Sequence, residues 1–390
     1  MSEQAAVDFD AEKVIALARD KTGLDNFGST PWREGLEVLL ATYDRHVRDP
    51  GGRARCRDRV VNLLATRLRC EQAFEQIPAI QDETIEAPIF VTGLPRSGTS
   101  ALLNLLASAP ENRGLLQWEM QLPDPWPGSA PGDEDPRYRP LADALEASRN
   151  KAFMKMHDGD ADTPEECVLL HAYACSGVQL GFEIMLEPYG SWLKAQDLEP
   201  LYTYQRQLMK MLQWRNPGKQ RWLLKAPAHM WGIDAIMKVF PDARFIWCHR
   251  NPLQVVPSIN SMNQLVMAMY AGDCSHVDPH EMGRSVMDWY ATSLERGLAE
   301  RKKLPEHLFV DCSQQEFVDR PMALVERVYG AFDMPLSVES RSALEAHIDS
   351  NPKNKHGKHV YDLSAYGLDE AAIRQRFDFY YSDPRWPISD

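Results

Sequence analysis

The residues of this chain with the most chemical promise are cations and small hydroxyls at a few places. Gly93-Leu94-Pro95-Arg96-Ser97-Gly98-Thr99-Ser100 is a glycine-bounded loop with one arginine inside it. A β-branched and aromatic run, Ile89-Phe90-Val91-Thr92, leads in, and an apolar helical pattern from Ala101 to Ala107 leads out. Backbone N–H groups at such a helix start hold an anion, and the glycines allow it to come close. The Gly93 to Gly98 spacing is that of a nucleoside-triphosphate loop, yet Thr99 stands where that chemistry needs lysine. The cation is Arg96, three residues earlier. The pattern predicts an anion site built from Arg96, Ser97, Gly98, Thr99 and Ser100; the bland alternative is a tight turn with a surface arginine.

A second constellation follows the run Arg244-Phe245-Ile246-Trp247-Cys248, which ends in His249-Arg250-Asn251-Pro252. Arginine at a strand end can take a phosphate bidentately, and Ser258, two helical turns on, can add a hydroxyl donor. Pro257 just before it removes one helical hydrogen bond. A magnesium-dependent kinase or ATPase wants a carboxylate at this strand end, and His249-Arg250 instead adds positive charge there.

Lys225 closes the run Trp222-Leu223-Leu224, so it points toward the crevice at the C-terminal end of a parallel sheet; a snorkelling edge lysine is the alternative. Glu119 follows Leu115-Leu116-Gln117-Trp118, a predicted short strand beside the loop, and is the candidate general base. His229, His171 and Glu166 are rivals, and an ordinary surface carboxylate is the competing reading of Glu119. Lys353-Asn354-Lys355-His356-Gly357-Lys358-His359 is a basic turn in an acidic chain.

The loop resembles the 5′-phosphosulfate loop of sulfotransferases that use 3′-phosphoadenosine 5′-phosphosulfate (PAPS). Its Pro-Arg-Ser-Gly-Thr form looks most like the bacterial sulfotransferases and the tyrosylprotein sulfotransferases. The resemblance implies that PAPS is the co-substrate and 3′,5′-adenosine bisphosphate the product, that no metal takes part, and that Arg250 and Ser258 bind the 3′-phosphate. It also implies that Glu119 is the base and that Lys225 and Arg96 stabilise the transferring group. Lys355 and Lys358 would belong to a C-terminal flap over the nucleotide. Cytosolic members use a histidine base, which keeps His229 and His171 in play. One departure is Cys312-Ser313-Gln314-Gln315-Glu316-Phe317, where family members often carry Tyr-Glu-Asp-Leu and Gln314 lies nearest the tyrosine's place. The resemblance spans about residues 20–385 by order of elements, and only the two phosphate motifs are specific.

The elements that must position these groups are legible in outline. Strand-like runs at 89–92, 115–118, 222–224, 244–248 and 308–310 alternate with helical stretches, including one at about 229–239 and one opened by Pro321. This predicts an α/β fold, a P-loop-like parallel sheet flanked by helices. Residues 1–85 read as an N-terminal helical extension, and 86–390 as the α/β domain with a helical insertion at about 141–215. The insertion carries Phe153, Met154, Met156, Met185, Trp192, Met209, Met211 and Trp214, which suggests a hydrophobic acceptor (alcohol, phenol or lipid), although helix core is the commoner use of such residues.

With 43 Lys plus Arg against 56 Asp plus Glu, the net charge of -13 speaks against a nucleic-acid partner. The seven cysteines form no Cys-x-x-Cys pair, and neither His276/His280 nor His356/His359 sits on a clean helical face, so neither a disulfide framework nor a metal site is expected. No secretory signal or membrane-spanning run is expected, and the chain reads as cytoplasmic, with a homodimer as one option.

Overall fold

Five short segments, all but the edge strand β2 rich in apolar residues, pair into one parallel sheet: β1 (Ile89–Gly93), β2 (Asn112–Gly114), β3 (Arg221–Lys225), β4 (Arg244–His249) and β5 (Phe309–Ser313). The computed structural model describes residues 7–148, 159–182, 187–218, 221–351 and 362–388. The sheet order is β2-β3-β1-β4-β5. The chain leaves central β1 for the β2 edge, returns inward through β3, and then reverses to the other side of β1 for β4 and β5. That reversal opens a crevice beyond the C-terminal ends of β1 and β4, where ligands of open α/β sheets bind.

Both faces of the sheet are covered, which is why its central strands β3, β1 and β4 are near-continuous apolar runs. Phe90, Trp222, Leu224, Phe245, Trp247 and Phe309 point into one core, shared with the helices Glu199–Arg215, Ile233–Val239 and Pro279–Arg301. Their neighbours Ile89, Val91, Leu223, Ile246 and Val310 point into the opposite core, under Thr99–Ala107, Pro321–Ala331 and Val338–Ser350. The two-residue period of a strand produces this division.

The N-terminal helices Ala11–Thr22, Arg33–His46 and Pro50–Gln76 form a third core with Ala172, Cys175, Tyr189 and Leu193 of the insertion and with Ala271. Asp10 and Asp49 cap the first and third of these helices, accepting from Lys13 and Gly52 N–H groups. Arg67, fully buried, donates to the carbonyls of Phe27, Thr30 and Tyr173 and so ties the extension to the insertion. No described helix is long and apolar enough to cross a membrane.

Two expectations need correction. Residues 115–118 are not a strand: β2 ends at Gly114, and Gln117–Gln121 is a helix. A short apolar run cannot distinguish the two, and here Gln117 and Trp118 N–H groups bond to Thr163 and Ala161 carbonyls rather than to a sheet partner. The predicted helix over 229–239 is split, with a 3-10 turn at Pro227–Gly232 before the α-helix Ile233–Val239. Among the apolar residues of the insertion, Met209 and Met211 are fully buried core, and Trp192 and Trp214 pack against cores. Phe153, Met154, Met156 and Met185 lie outside the described residues.

Candidate active site

The loop after β1 is shaped by close contact with β4. Gly93 has φ +129°, and a Cβ there would lie 2.0 Å from the Cys248 carbonyl oxygen, so only glycine fits. Arg96 itself is left-handed, with φ 63°, a conformation that a non-glycine residue holds at a cost of roughly 1–3 kcal/mol. Ser97 is buried and spends its hydroxyl on the Leu94 carbonyl at 2.6 Å, closing the turn. Gly98, φ +90°, starts the helix Thr99–Ala107 with no side-chain cap, so the first-turn N–H groups keep their capacity for an anion. Thr99 is buried and Ser100 exposed. Gln314 is seated beside the loop: its Cγ is 3.8 Å from the place of a Gly98 Cβ.

Arg250 follows β4 directly, and its Nη1 donates to the Arg96 carbonyl, while Nε donates to Gln254 Oε1 at 3.0 Å. The two cationic motifs, 154 residues apart, thus meet at the β1/β4 crevice. Asn251 caps the helix Pro252–Ala271 by accepting from Leu253 N–H, and Tyr381 O–H donates to the same oxygen at 2.6 Å. Ser258 lies two turns along that helix, after Pro257, and is 4 % exposed.

A cluster that the sequence reading missed braces this strand end. His249 Nε2 lies 2.7 Å from Asp311 Oδ1 on β5, and Nδ1 lies 2.8 Å from the Tyr380 hydroxyl. Arg301 grips both oxygens of Asp311 at 2.6 and 2.7 Å. Burial pushes His249 below its usual range despite Asp311, so His249 does not add the positive charge expected of it. Only the adjacency of His249 to Arg250 hinted at such a role. Burial raises the Asp311 carboxyl, but its bonds to Arg301 and His249 outweigh that and bring it to about 2.

A carboxyl depressed on folding stabilises the fold above its unfolded range, and that contribution disappears as pH falls toward the folded value. The pair with Arg301 is therefore expected to lose about 2 kcal/mol between roughly pH 4 and pH 2. Urea unfolding against pH should show this slope, and Asp311→Asn should flatten it.

Lys225 is fully buried, and its Nζ lies 2.9 Å from Glu166 Oε1 and 3.8 Å from Glu165 Oε1. Burial alone would push this ammonium down, but Glu166 and then Glu165 outweigh it and raise it. Val91 of β1 lies in register beside Lys225, and Thr92 Oγ1 donates to the Ala226 carbonyl at 3.0 Å, so the lysine is adjacent to the strand that feeds the loop.

Glu119 sits on the helix Gln117–Gln121 and is 2 % exposed. Its Oε1 accepts from Arg113 Nη2 at 2.8 Å and Asn216 Nδ2 at 2.7 Å, and Oε2 accepts from Leu116 N–H at 3.2 Å. Arg113 lies over the Trp222 ring at 4.4 Å and also donates to the Leu212 and Asn216 carbonyls. In this arrangement Glu119 clamps β2 to the end of the helix Glu199–Arg215.

His229 is fully buried, with Nε2 3.0 Å from Cys167 Sγ and Nδ1 2.9 Å from the Tyr202 hydroxyl. Burial, then neighbouring His171 and Lys225, push its protonation well below the usual range. His171 is bonded to Gln205 at 2.6 Å and lowered to about 4 by burial. Both rings are poor proton acceptors as held. Lys355 and Lys358 lie outside the described residues. Among the described residues no group of three or more His, Cys, Asp and Glu is disposed to hold a metal.

Residues 88–338 match the model of the sulfotransferase family, and the chain belongs to that family. It is similar over its full length to the crystal structure of sulfotransferase STF9 from Mycobacterium avium, at 29% identity and TM-score 0.89, covering 99% of that chain. Sulfotransferase STF1 from Mycobacterium tuberculosis H37Rv matches 96% of this chain and 99% of its own at 28% identity, with TM-score 0.82. A search of curated proteins finds no match.

Proposed function

We propose that the chain transfers a sulfuryl group from PAPS to a hydroxyl of a hydrophobic small molecule or lipid in the cytoplasm. The observation that carries this reading is the joining of Arg250 to the Arg96 carbonyl, which sets two cations at one crevice beside an uncapped helix start. A doubly anionic nucleotide needs such a pair of subsites. In this reading Arg96, Ser97, Gly98, Thr99 and Ser100 hold the phosphosulfate end, and Arg250 and Ser258 hold the 3′-phosphate. The donor supplies an activated sulfuryl group; the chain supplies alignment, positive charge and a proton acceptor.

Lys225 stands on the strand beside the loop and is the second cation for the transferring group. For the hydroxyl proton two carboxylates compete, Glu119 and Glu166. Sulfuryl carries less charge than phosphoryl, so Arg96, Lys225 and backbone donors suffice without magnesium.

A PAPS-depletion screen across alcohols and phenols tests the reading. Sulfated product from an apolar alcohol or phenol is the expected result. ATP consumption that requires magnesium, with no use of PAPS, would instead point to a kinase or NTPase.

A further inference from the structure

We infer that Glu166 is the group that takes the proton from the acceptor hydroxyl. The inference rests on the sulfotransferase reading above and adds to it a catalytic residue. Three observations converge on this carboxylate. Glu166 Oε1 is held at 2.9 Å by Lys225 Nζ, at the C-terminal end of β3. Lys225 is fully buried while 34% of the Glu166 side chain is exposed, so the carboxylate stands between the lysine and solvent, within reach of an incoming hydroxyl. Its backbone is extended, φ -69° and ψ 115°, immediately before the 3-10 turn Cys167–Ala174, so a packed element fixes where it stands.

The other titratable groups around it are committed elsewhere. Glu165 is 11% exposed and accepts the Glu166 N–H at 3.0 Å. Cys167 faces His229, and burial, followed by the charge of Glu166, holds its thiol protonated, up to about 12. Tyr290 lies within the field of Glu166, and burial, then that charge, raise its hydroxyl, so it too stays protonated. Glu119 has both oxygens engaged and is 2 % exposed. A general base must reach the proton, and geometry selects before basicity does.

The step balances without another reactant. The acceptor O–H bond breaks, its proton passes to a Glu166 oxygen, and its electron pair forms the new O–S bond. The S–O bond to the nucleotide phosphate breaks as that forms, and its pair leaves with 3′,5′-adenosine bisphosphate. Lys225 then shifts its hydrogen bond from the neutralised carboxyl toward the transferring oxygens. The pair thus couples deprotonation of the acceptor to stabilisation of the developing charge.

The test uses the full chain and its Glu166→Gln variant, with [35S]PAPS and with water, 2-naphthol and 1-octanol as hydroxyl sources. Turnover of E166Q should fall about 100- to 10,000-fold. Its affinity for 3′,5′-adenosine bisphosphate should stay within a few-fold of wild type, and its melting temperature should show that it folds. A second readout does not depend on turnover. The Lys225 13Cε signal in 13C-lysine protein should titrate at lower pH in E166Q, because burial is then less compensated.

Undiminished turnover in E166Q, or loss in Glu119→Gln with E166Q active, overturns the assignment alone. An unmoved Lys225 titration overturns the pairing on which it rests. A wild-type chain that neither binds 3′,5′-adenosine bisphosphate nor consumes PAPS overturns the sulfotransferase reading, and this assignment falls with it.

Discussion

Arg96→Ala is expected to reduce affinity for 3′,5′-adenosine bisphosphate by about 10- to 100-fold, the range of one charge-assisted hydrogen bond to an anion. Turnover should fall further, by about 100- to 1,000-fold beyond that, since charge developing in transfer is stabilised more than the ground state is. The side chain and its backbone make separable contributions. Arg96 is left-handed at φ 63°, and alanine inherits that strain, so loss of function in R96A alone could reflect a distorted loop. Arg96→Gly separates the two, because glycine adopts this φ freely.

R96G should melt no lower than wild type and still lose both affinity and turnover. Arg96→Lys keeps a charge but not the planar fork, and should recover only part of the loss. Calorimetric titration and thermal unfolding of the three variants check this. Full function in R96G would remove Arg96 from the site.

Glu119→Ala is expected to be the most destabilising of the substitutions considered, at about 3–5 kcal/mol, the usual result of removing one partner of a buried ion pair. Arg113 would keep its place over Trp222 and remain 7 % exposed, with its charge uncompensated. Burial already pulls the Arg113 guanidinium below its ordinary range, with Glu119 opposing that pull. The Leu116 N–H and the Asn216 amide would each lose an acceptor as well.

Urea unfolding measures the loss. A double variant with Arg113→Met should recover part of it, because the stranded charge is then gone. A change within about 1 kcal/mol for E119A would show that the clamp is not structural and would return Glu119 to the field as a proton acceptor.

Much of the proposed nucleotide site was legible because its two motifs are local in sequence. Gly93, Arg96 and Gly98 are three residues of one turn, and the need for glycine at a positive φ is written in the residue type. Arg250 was legible as the end of a strand. The joining of the two was not: it depends on β4 lying beside β1, a pairing 154 residues away in sequence at the Arg250–Arg96 contact.

The His249 cluster was hidden for the same reason. Its partners Asp311 and Tyr380 are 62 and 131 residues distant, on β5 and a C-terminal helix. A histidine before an arginine reads as charge until burial is known. Leu115-Leu116 looked like a strand that would aim Glu119 at the crevice; the residue stands instead on a helix start, facing Arg113. Lys225 was placed correctly at its strand end, but Glu166, 59 residues earlier, carried no local mark beyond being acidic.

In the proposed function Arg96 and Arg250 make one site for a 3′-phosphorylated adenine nucleotide. Isothermal titration of the chain with 3′,5′-adenosine bisphosphate in EDTA, set against adenosine 5′-phosphate and magnesium ATP, tests it most directly. The expected result is one site per chain, affinity at least about tenfold greater with the 3′-phosphate than without it, and no gain from magnesium. Equal binding of adenosine 5′-phosphate, or tight binding only of magnesium ATP, would contradict it.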